Sequence, residues 1–505
     1  MADERLADER LADERLVDER LVDERLADER LTDERLTDER LTDERLVDER
    51  LADERLVGER LADGRLADER LVGERLAAAV KLFGYFTASP YVFRRSFVVS
   101  VFCRLPSIHR TSHGPRLSGG GVPITVRDMF AEYIEPRSGA TFPLDRPRWC
   151  GPDHAPLLLT PLPGLTRGQI DRATRSLWRY RAAFPLSIET PISMGEGTTP
   201  LIPATVAGVR VLLKCEWFNP TSSFKDRGAS VMLSLLRAQG IGHVLEDSSG
   251  NGGAAVSAYA AAGGMAATIM APDSTSPAKT VQMRAHGATV ELIPGSRQDT
   301  ADAAVARSES VFYASHNWHP FFLHGTKTLA YELWEDLGFR APDNVITPCG
   351  AGSNVLGCEI GFSELLRAGE IDGMPRIFAA QPANCAPIAA AFMAGADEAV
   401  PTVISPTIAE GTAIARPVRM REVLGALRET RGGAVTLTEA EIAGATLDLA
   451  RIGIYVEPTS AQVAAAFAKL LATGTITAEQ TTVLVLTGSG LKATPRIAEL
   501  MGVAL

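Results

Sequence analysis

From Gly195 onward the chain alternates short runs rich in β-branched residues with longer Ala-rich segments. Residues 209–213, 266–270, 289–293, 345–347 and 482–486 read as buried strands. Residues 228–238, 253–262, 278–286, 327–337 and 460–471 read as helices, as does the stretch 167–184 ahead of them. Strands separated by helix-length segments predict an open α/β architecture, mostly parallel, with helices on both faces of its sheets. Ligands of such sheets sit beyond the carboxyl ends of the strands, in the loops that lead into helices. Four of those loops have unusual compositions, and they carry the functional argument.

The rest of the chain is of a different kind. Residues 1–75 are fifteen tandem five-residue units of the form L-A-D-E-R. The chain's formal charge of −11 resides there: the repeat holds 27 acids and 15 arginines, and residues 76–505 hold 36 acids and 37 bases. A period of five makes no apolar stripe, since successive leucines step by about 140° around a helix and alternate between the faces of a strand. The segment reads as a solvated helix or as disorder. A repeat expansion or an upstream start is the preferred origin, over a partner-binding arm. Residues 76–128 read as a linker of low order, Met129 as the expected true start, and 129–190 as an N-terminal extension. A near-neutral body gives no ground for a nucleic-acid partner. No uncharged apolar run approaches the roughly 18 residues a membrane helix needs. The six cysteines, Cys103, Cys150, Cys215, Cys349, Cys358 and Cys385, form no C-x-x-C pair. They read as reduced thiols, and the expected location is cytoplasmic.

The first loop, Asn219-Pro220-Thr221-Ser222-Ser223-Phe224-Lys225-Asp226-Arg227-Gly228, places a lysine at the head of a helix. There the positive end of the helix dipole disfavours the charged amine, and a neutral amine is what Schiff-base chemistry requires. The plainer alternative is a surface Lys-Asp-Arg cluster. The second, Asp247-Ser248-Ser249-Gly250-Asn251-Gly252-Gly253, offers small residues for close backbone approach and an amide that both donates and accepts. A turn with a helix cap would look the same. The third, Pro348-Cys349-Gly350-Ala351-Gly352-Ser353-Asn354, presents backbone N–H groups at a helix N-terminus, as an anion cradle does. It has neither dinucleotide glycine spacing nor a nucleotide-loop Lys-Ser/Thr ending. The fourth, Thr487-Gly488-Ser489-Gly490-Leu491-Lys492, could hold a polar ring atom by a hydroxyl or be a plain strand exit. Together a lysine, an asparagine, an anion cradle and a hydroxyl match the aldehyde, phenolic oxygen, phosphate and ring nitrogen of pyridoxal phosphate, one to one.

The stretch from about Trp178 to Leu505 resembles the fold-type II pyridoxal-phosphate enzymes, and within them threonine synthase. Gly195-Glu196-Gly197-Thr198-Thr199-Pro200-Leu201 is similar to that family's G-E-G-x-T-P-L. Asn219 to Gly228 is similar to its N-P-T-x-S-F-K-D-R-G, Glu457-Pro458-Thr459-Ser460-Ala461 to its E-P-x-S-A, and Thr487 to Lys492 to its T-G-x-G-L-K. The resemblance implies a two-domain fold of the tryptophan synthase β type, with two interleaved α/β subdomains over 191–505, and a possible homodimer. It implies that Lys225 forms the aldimine with the cofactor and shuttles protons, and that Phe224 stacks on the ring. Asn251 would bond the phenolic oxygen, Gly350, Ala351, Gly352, Ser353 and Asn354 would cradle the phosphate, and Thr487 would face the ring nitrogen. Ser248, Ser249 and Gly250 would sit near the carboxylate of a small amino-acid substrate.

The chain departs from the family at two positions. Phe322 stands where threonine synthases usually carry a phosphate-holding arginine, and Gly252 where they often have a threonine. The expected reaction is conversion of O-phosphohomoserine and water to threonine and phosphate. Phe322 keeps open a β-eliminating threonine or serine dehydratase, and retention of Lys225 argues against a non-catalytic binding protein on this fold. His316, His319 and His324 match no zinc spacing and read as pocket-lining or packing residues; no metal is expected. The family's small C-x-x-C-G ribbon is represented by 135–139 and Cys150, a single thiol unable to hold zinc.

Overall fold

The computed structural model of the chain describes residues 131–275 and 277–504. The repeat, the linker and the expected start at Met129 lie outside the described residues. In chain order the strands are β1 (Glu132–Ile134), β2 (Thr141–Pro143), β3 (Leu158–Leu159), β4 (Leu201–Val206), β5 (Val209–Cys215), β6 (His243–Glu246), β7 (Ala266–Pro272), β8 (Thr289–Ile293), β9 (Phe312–Tyr313), β10 (Asn344–Pro348), β11 (Arg376–Pro382), β12 (Gly433–Leu437) and β13 (Thr482–Leu486). The helices are α1 (Lys225–Ala238), α2 (Asn251–Ala262), α3 (Pro277–Ala285), α4 (Arg297–Arg307), α5 (Pro320–Thr326), α6 (Thr328–Asp336), α7 (Ser353–Arg367), α8 (Pro387–Met393), α9 (Met420–Glu429), α10 (Glu439–Arg451), α11 (Pro458–Ala472) and α12 (Thr494–Met501).

The larger sheet has the order β12-β11-β10-β13-β5-β4. It is parallel throughout except for β4, which pairs antiparallel with β5. The smaller sheet, β8-β7-β6-β9, is parallel throughout. Both faces of the larger sheet are buried, which explains why its strands read as continuous apolar runs. The pleat sorts neighbours to opposite cores. Val345, Ile377 and Val483 join one cluster with Trp334, Phe362 and Leu427, while Ile346, Phe378 and Leu484 join another with Val463 and Phe467. The smaller sheet packs Val244, Ala267 and Ile269 against Met232 and Leu236 of α1 and Val256 and Tyr259 of α2.

Three adjacent parallel strands, β10, β13 and β5, deliver three of the four singled-out loops at their carboxyl ends, and β6 delivers the fourth from the smaller sheet. The helices after the first two loops start earlier than their apolar pattern suggests. α1 begins on Lys225 and α2 on Asn251, so each candidate residue is the first residue of its helix.

The stretch 167–184 is not one helix. It forms two short 3-10 turns, Arg167–Gln169 and Leu177–Ala183. Tertiary anchors override its helical propensity. Leu177 N donates to Glu196 O at 2.7 Å, the Trp178 indole to Ser230 Oγ at 2.9 Å, and Tyr180 OH to Glu335 at 2.7 Å. Ahead of it, β2-β1-β3 form a small antiparallel sheet whose Tyr133 packs edge-on against Phe321 of α5. Among the described residues no helix is long and apolar enough to cross a membrane.

Candidate active site

Lys225 sits where the Asn219–Phe224 loop turns into α1. The loop is fixed by backbone bonds to the loop after β13: Phe224 N donates to Thr487 O at 3.0 Å, and Ser489 N to Ser222 O at 3.2 Å. Ser222 takes a left-handed φ of 63°, uncommon for a residue with a side chain and often found where a site stores strain. The Lys225 amine lies 4.7 Å from the centre of the Phe224 ring and 5.5 Å from that of Phe322. Among the described residues it makes no ion pair or hydrogen bond. Burial pushes it down to about 8, against the pull of Glu246 and Glu457.

The neighbouring cation has the opposite setting. Arg227 is fully buried, and Glu216 accepts from its Nε at 2.7 Å and its Nη2 at 2.8 Å. Its Nη1 donates to Glu332 at 2.9 Å. Glu332 of α6 also accepts from Lys214 Nζ at 2.7 Å and from the backbone N–H groups of Thr198 and Thr199 at 2.8 and 2.6 Å. These partners hold Glu332 far below the usual carboxylate range, although burial alone would raise it. Asp226 is buried as well, capped by the backbone and hydroxyl of Thr221, and burial pushes it up to about 7. The Lys-Asp-Arg run is therefore no surface cluster. Glu196 of the Gly195–Leu201 motif is likewise structural: Ser230 Oγ donates to it at 2.6 Å and Tyr259 OH at 3.0 Å.

Asn251 opens α2 facing the β13 loop. Its amide donates to both oxygens of Glu457 at 3.1 and 3.2 Å, and its carbonyl accepts from Lys492 Nζ at 3.0 Å. Glu457 N in turn donates to Gly488 O at 3.2 Å. A side chain at Gly488 would overlap the Glu457 carboxylate. Thr487 is buried and shares a hydrogen bond with Ser460 Oγ at 2.9 Å. Thus Asn251 is held by Glu457 and Lys492 and Thr487 by Ser460, all three within the motifs the sequence matched, while the Lys225 loop is tied to Thr487 by backbone alone.

The cradle follows β10. Gly352 caps α7 with φ 92°, and a β-carbon there would overlap Val423 of α9. A β-carbon on Gly350 would lie 3.1 Å from Ile414 and from Thr412. Gly411, beside them, donates its N–H to Thr459 Oγ1 of α11 at 3.0 Å. This segment connects the cradle to the Glu457 side of the site. Ser248, Ser249 and Gly250 form the rim after β6, Ser248 and Ser249 half-buried and Gly250 exposed. Behind them Glu246 meets His316, a pairing with no local sequence signal because 70 residues separate the two. Phe322 is fully buried, its ring packed against the α-carbon of Gly228. His319 caps α5, accepting from Phe321 N at 3.3 Å, and His324 is buried; both are held well below the usual imidazole range by burial.

A family model described as "Pyridoxal-phosphate dependent enzyme" matches residues 192–488. The chain belongs to that family, and it is a pyridoxal-phosphate-dependent lyase on a fold-type II α/β scaffold. Within it the chain is threonine synthase-like. It is 34% identical to the threonine synthase of Methanosarcina acetivorans over 325 residues, which are 63% of this chain and 80% of that one. It is 35% identical to the threonine synthase of Methanocaldococcus jannaschii over the same length and shares. Among solved structures, a fungal L-serine ammonia-lyase from Rhizomucor miehei has the same fold, with a TM-score of 0.53, 21% identity and coverage of 61% of this chain and 98% of that one. The processed threonine deaminase isoform 2 of Solanum lycopersicum does too, with a TM-score of 0.51, 22% identity and coverage of 60% and 83%.

Proposed function

We propose that the protein converts O-phosphohomoserine and water to threonine and phosphate, with pyridoxal phosphate held covalently by Lys225. The observation that carries this is the Lys225 amine: half-buried, unpaired and lowered to about 8, between Phe224 and Phe322 at the head of α1. An amine so placed is suited to join an aldehyde, whereas a structural lysine in this protein, such as Lys214, is paired with carboxylates. The cofactor's phosphate fits Gly350, Ala351, Gly352, Ser353 and Asn354, where glycine is demanded at 352 and backbone N–H groups open α7. Phe224 would pack on the ring, Asn251 would donate to the phenolic oxygen, and the Thr487 hydroxyl would meet the ring nitrogen. Ser248, Ser249 and Gly250 would receive the substrate carboxylate.

Bound there, the cofactor supplies an electron sink for the substrate's carbon chain. The chain's own residues do the rest. Lys225 Nζ would remove the α-proton and move protons along the substrate. Lys492 and Glu457 fix the Asn251 amide, and Asp226 and Arg227, buried in their own networks, fix the turn that aims the lysine.

Phe322 favours a second reading, a threonine or serine dehydratase, since an apolar ring offers nothing to a substrate phosphate. One experiment separates the two: phosphate release from O-phosphohomoserine against keto-acid release from threonine and serine by the same preparation. Keto acid without phosphate release would replace the first reading with the second. Borohydride labelling on any lysine other than Lys225 would remove both.

A further inference from the structure

Two positions singled out in the sequence, Gly252 and Phe322, lie against the same side chain. A β-carbon on Gly252 would lie 2.8 Å from His316 Nδ1 and 2.9 Å from both His316 Cε1 and Ser248 Oγ. A side chain at 252 and the imidazole in its present place are therefore alternatives. The Phe322 ring centre is 5.7 Å from that of His316 and 5.5 Å from the Lys225 amine, so the imidazole and the amine flank one ring.

His316 is held in one orientation. The buried Glu246 carboxylate accepts from His316 N at 3.0 Å and Asp247 N at 2.9 Å, and it meets His316 Nδ1 at 2.9 Å. A carboxylate receiving two backbone N–H groups acts as the acceptor, which assigns the ring hydrogen to Nδ1 and leaves a lone pair on Nε2. Among the described residues Nε2 has no hydrogen-bond partner. His316 is 7% exposed, beside the Ser248 rim.

We propose that His316 is the base that activates water in this site, with Glu246 as its positioning residue. This rests on the threonine synthase reading. His316 Nε2 takes one proton from the water whose oxygen bonds the substrate's β-carbon. One water O–H bond breaks and one C–O bond forms as the double bond between the α- and β-carbons opens, and its electron pair goes to the α-carbon, which takes back the proton held by Lys225. The imidazolium so formed faces the Glu246 carboxylate. Its proton then departs with the released phosphate as hydrogen phosphate, which restores the base and balances the overall reaction.

The charged groups around the ring come from three elements and one loop: Glu246 on β6, Asp247 after it, Arg297 on α4 and Lys225 on α1. Burial first, then Lys225 and Arg297, hold the imidazole well below its usual range, while Asp247 pulls the other way and is itself paired with Arg297 at 2.7 Å. The ring is therefore neutral, with its lone pair available, across the neutral pH range.

The test uses the cofactor-loaded full chain and three variants, His316→Gln, His316→Asn and Glu246→Gln. Phosphate, threonine and keto acid are measured together from O-phosphohomoserine, and borohydride labelling of Lys225 reports loading independently of turnover. Loss of a general base is expected to lower kcat for threonine roughly 100-fold in the His316 variants, with KM little changed, and roughly tenfold in Glu246→Gln. The ratio of threonine to phosphate should fall below one, the remainder appearing as 2-oxobutyrate and ammonia, because the unsaturated product of phosphate loss is released before water adds. A merely structural role would lower loading and leave that ratio at one. Equal threonine and phosphate in loaded His316→Gln or His316→Asn would overturn the proposal. Absence of phosphate release by the unaltered protein would instead remove the threonine synthase reading on which it rests.

Discussion

The two sides of the site are held by different means. On the larger-sheet side, the loops bearing Lys225 and Thr487 are tied to each other by backbone hydrogen bonds, and α1 is tied to β5 and α6 by a buried ion network. On the smaller-sheet side, the rim after β6 depends on side chains: Glu246 on His316, and Arg297 on Asp247. The loops bearing Lys225 and Thr487 lie on the first side, while Gly252 and Phe322 pack against His316 on the second. Asn251 apart, the residues expected to hold the cofactor lie on the larger-sheet side, and the rim expected to face the substrate lies on the smaller-sheet side.

That separation can be broken from either side. The largest effect is expected from Lys225→Ala, which should abolish borohydride-stable cofactor attachment and lower turnover roughly 1,000-fold or more, read by mass spectrometry and product assay. Glu332→Ala leaves Arg227 and Lys214 short of a buried partner and should cost about 3–5 kcal/mol, read from the denaturant midpoint. Gly352→Ala forces a left-handed residue against Val423 and should cost about 1–3 kcal/mol, seen chiefly as weaker cofactor retention on dialysis. Gly252→Ala crowds His316 and Ser248 without touching the larger-sheet side. It should leave labelling of Lys225 intact and lower turnover about tenfold, a loss of about 1.4 kcal/mol of transition-state stabilisation.

The smallest effect sharpens the contrast between neighbours on α1. Arg227 is paired, and its neighbours raise its pKa; Lys225 is unpaired, and burial lowers it to about 8 from 10.5. A lysine with a depressed folded value destabilises the fold fully below that value, and the cost fades as pH rises from about 8 toward 10.5. Lys225→Met should therefore raise the Tm of the cofactor-free protein by a few degrees near pH 7, with the gain shrinking above pH 8. A gain constant with pH would show that packing, not charge, is responsible.

Much of the fold was legible because its strands are buried on both faces and its helices are long. The strands at 289–293 and 482–486 were read at their observed bounds. Arg376–Pro382 and Gly433–Leu437 passed unread as strands because their membership of the sheet comes from neighbours far along the chain. The stretch 167–184 read as a helix because propensity is local, whereas Trp178 and Tyr180 answer to Ser230 and Glu335. The burial of Arg227 was illegible for the same reason, since Glu216 and Glu332 meet it only after β5 and α6 are placed.

By itself the sequence determined the alternation of strand and helix, the four loops and the lysine at the head of a helix, because each depends on residues within a few positions of one another. Tertiary structure decided which of those loops meet and what surrounds them. It set the bonds from Asn251 to Glu457 and from Glu246 to His316, and the contrast between a paired Arg227 and an unpaired Lys225. Charge pairing and desolvation are properties of positions in space, and only the folded chain brings residues hundreds of positions apart within hydrogen-bond distance.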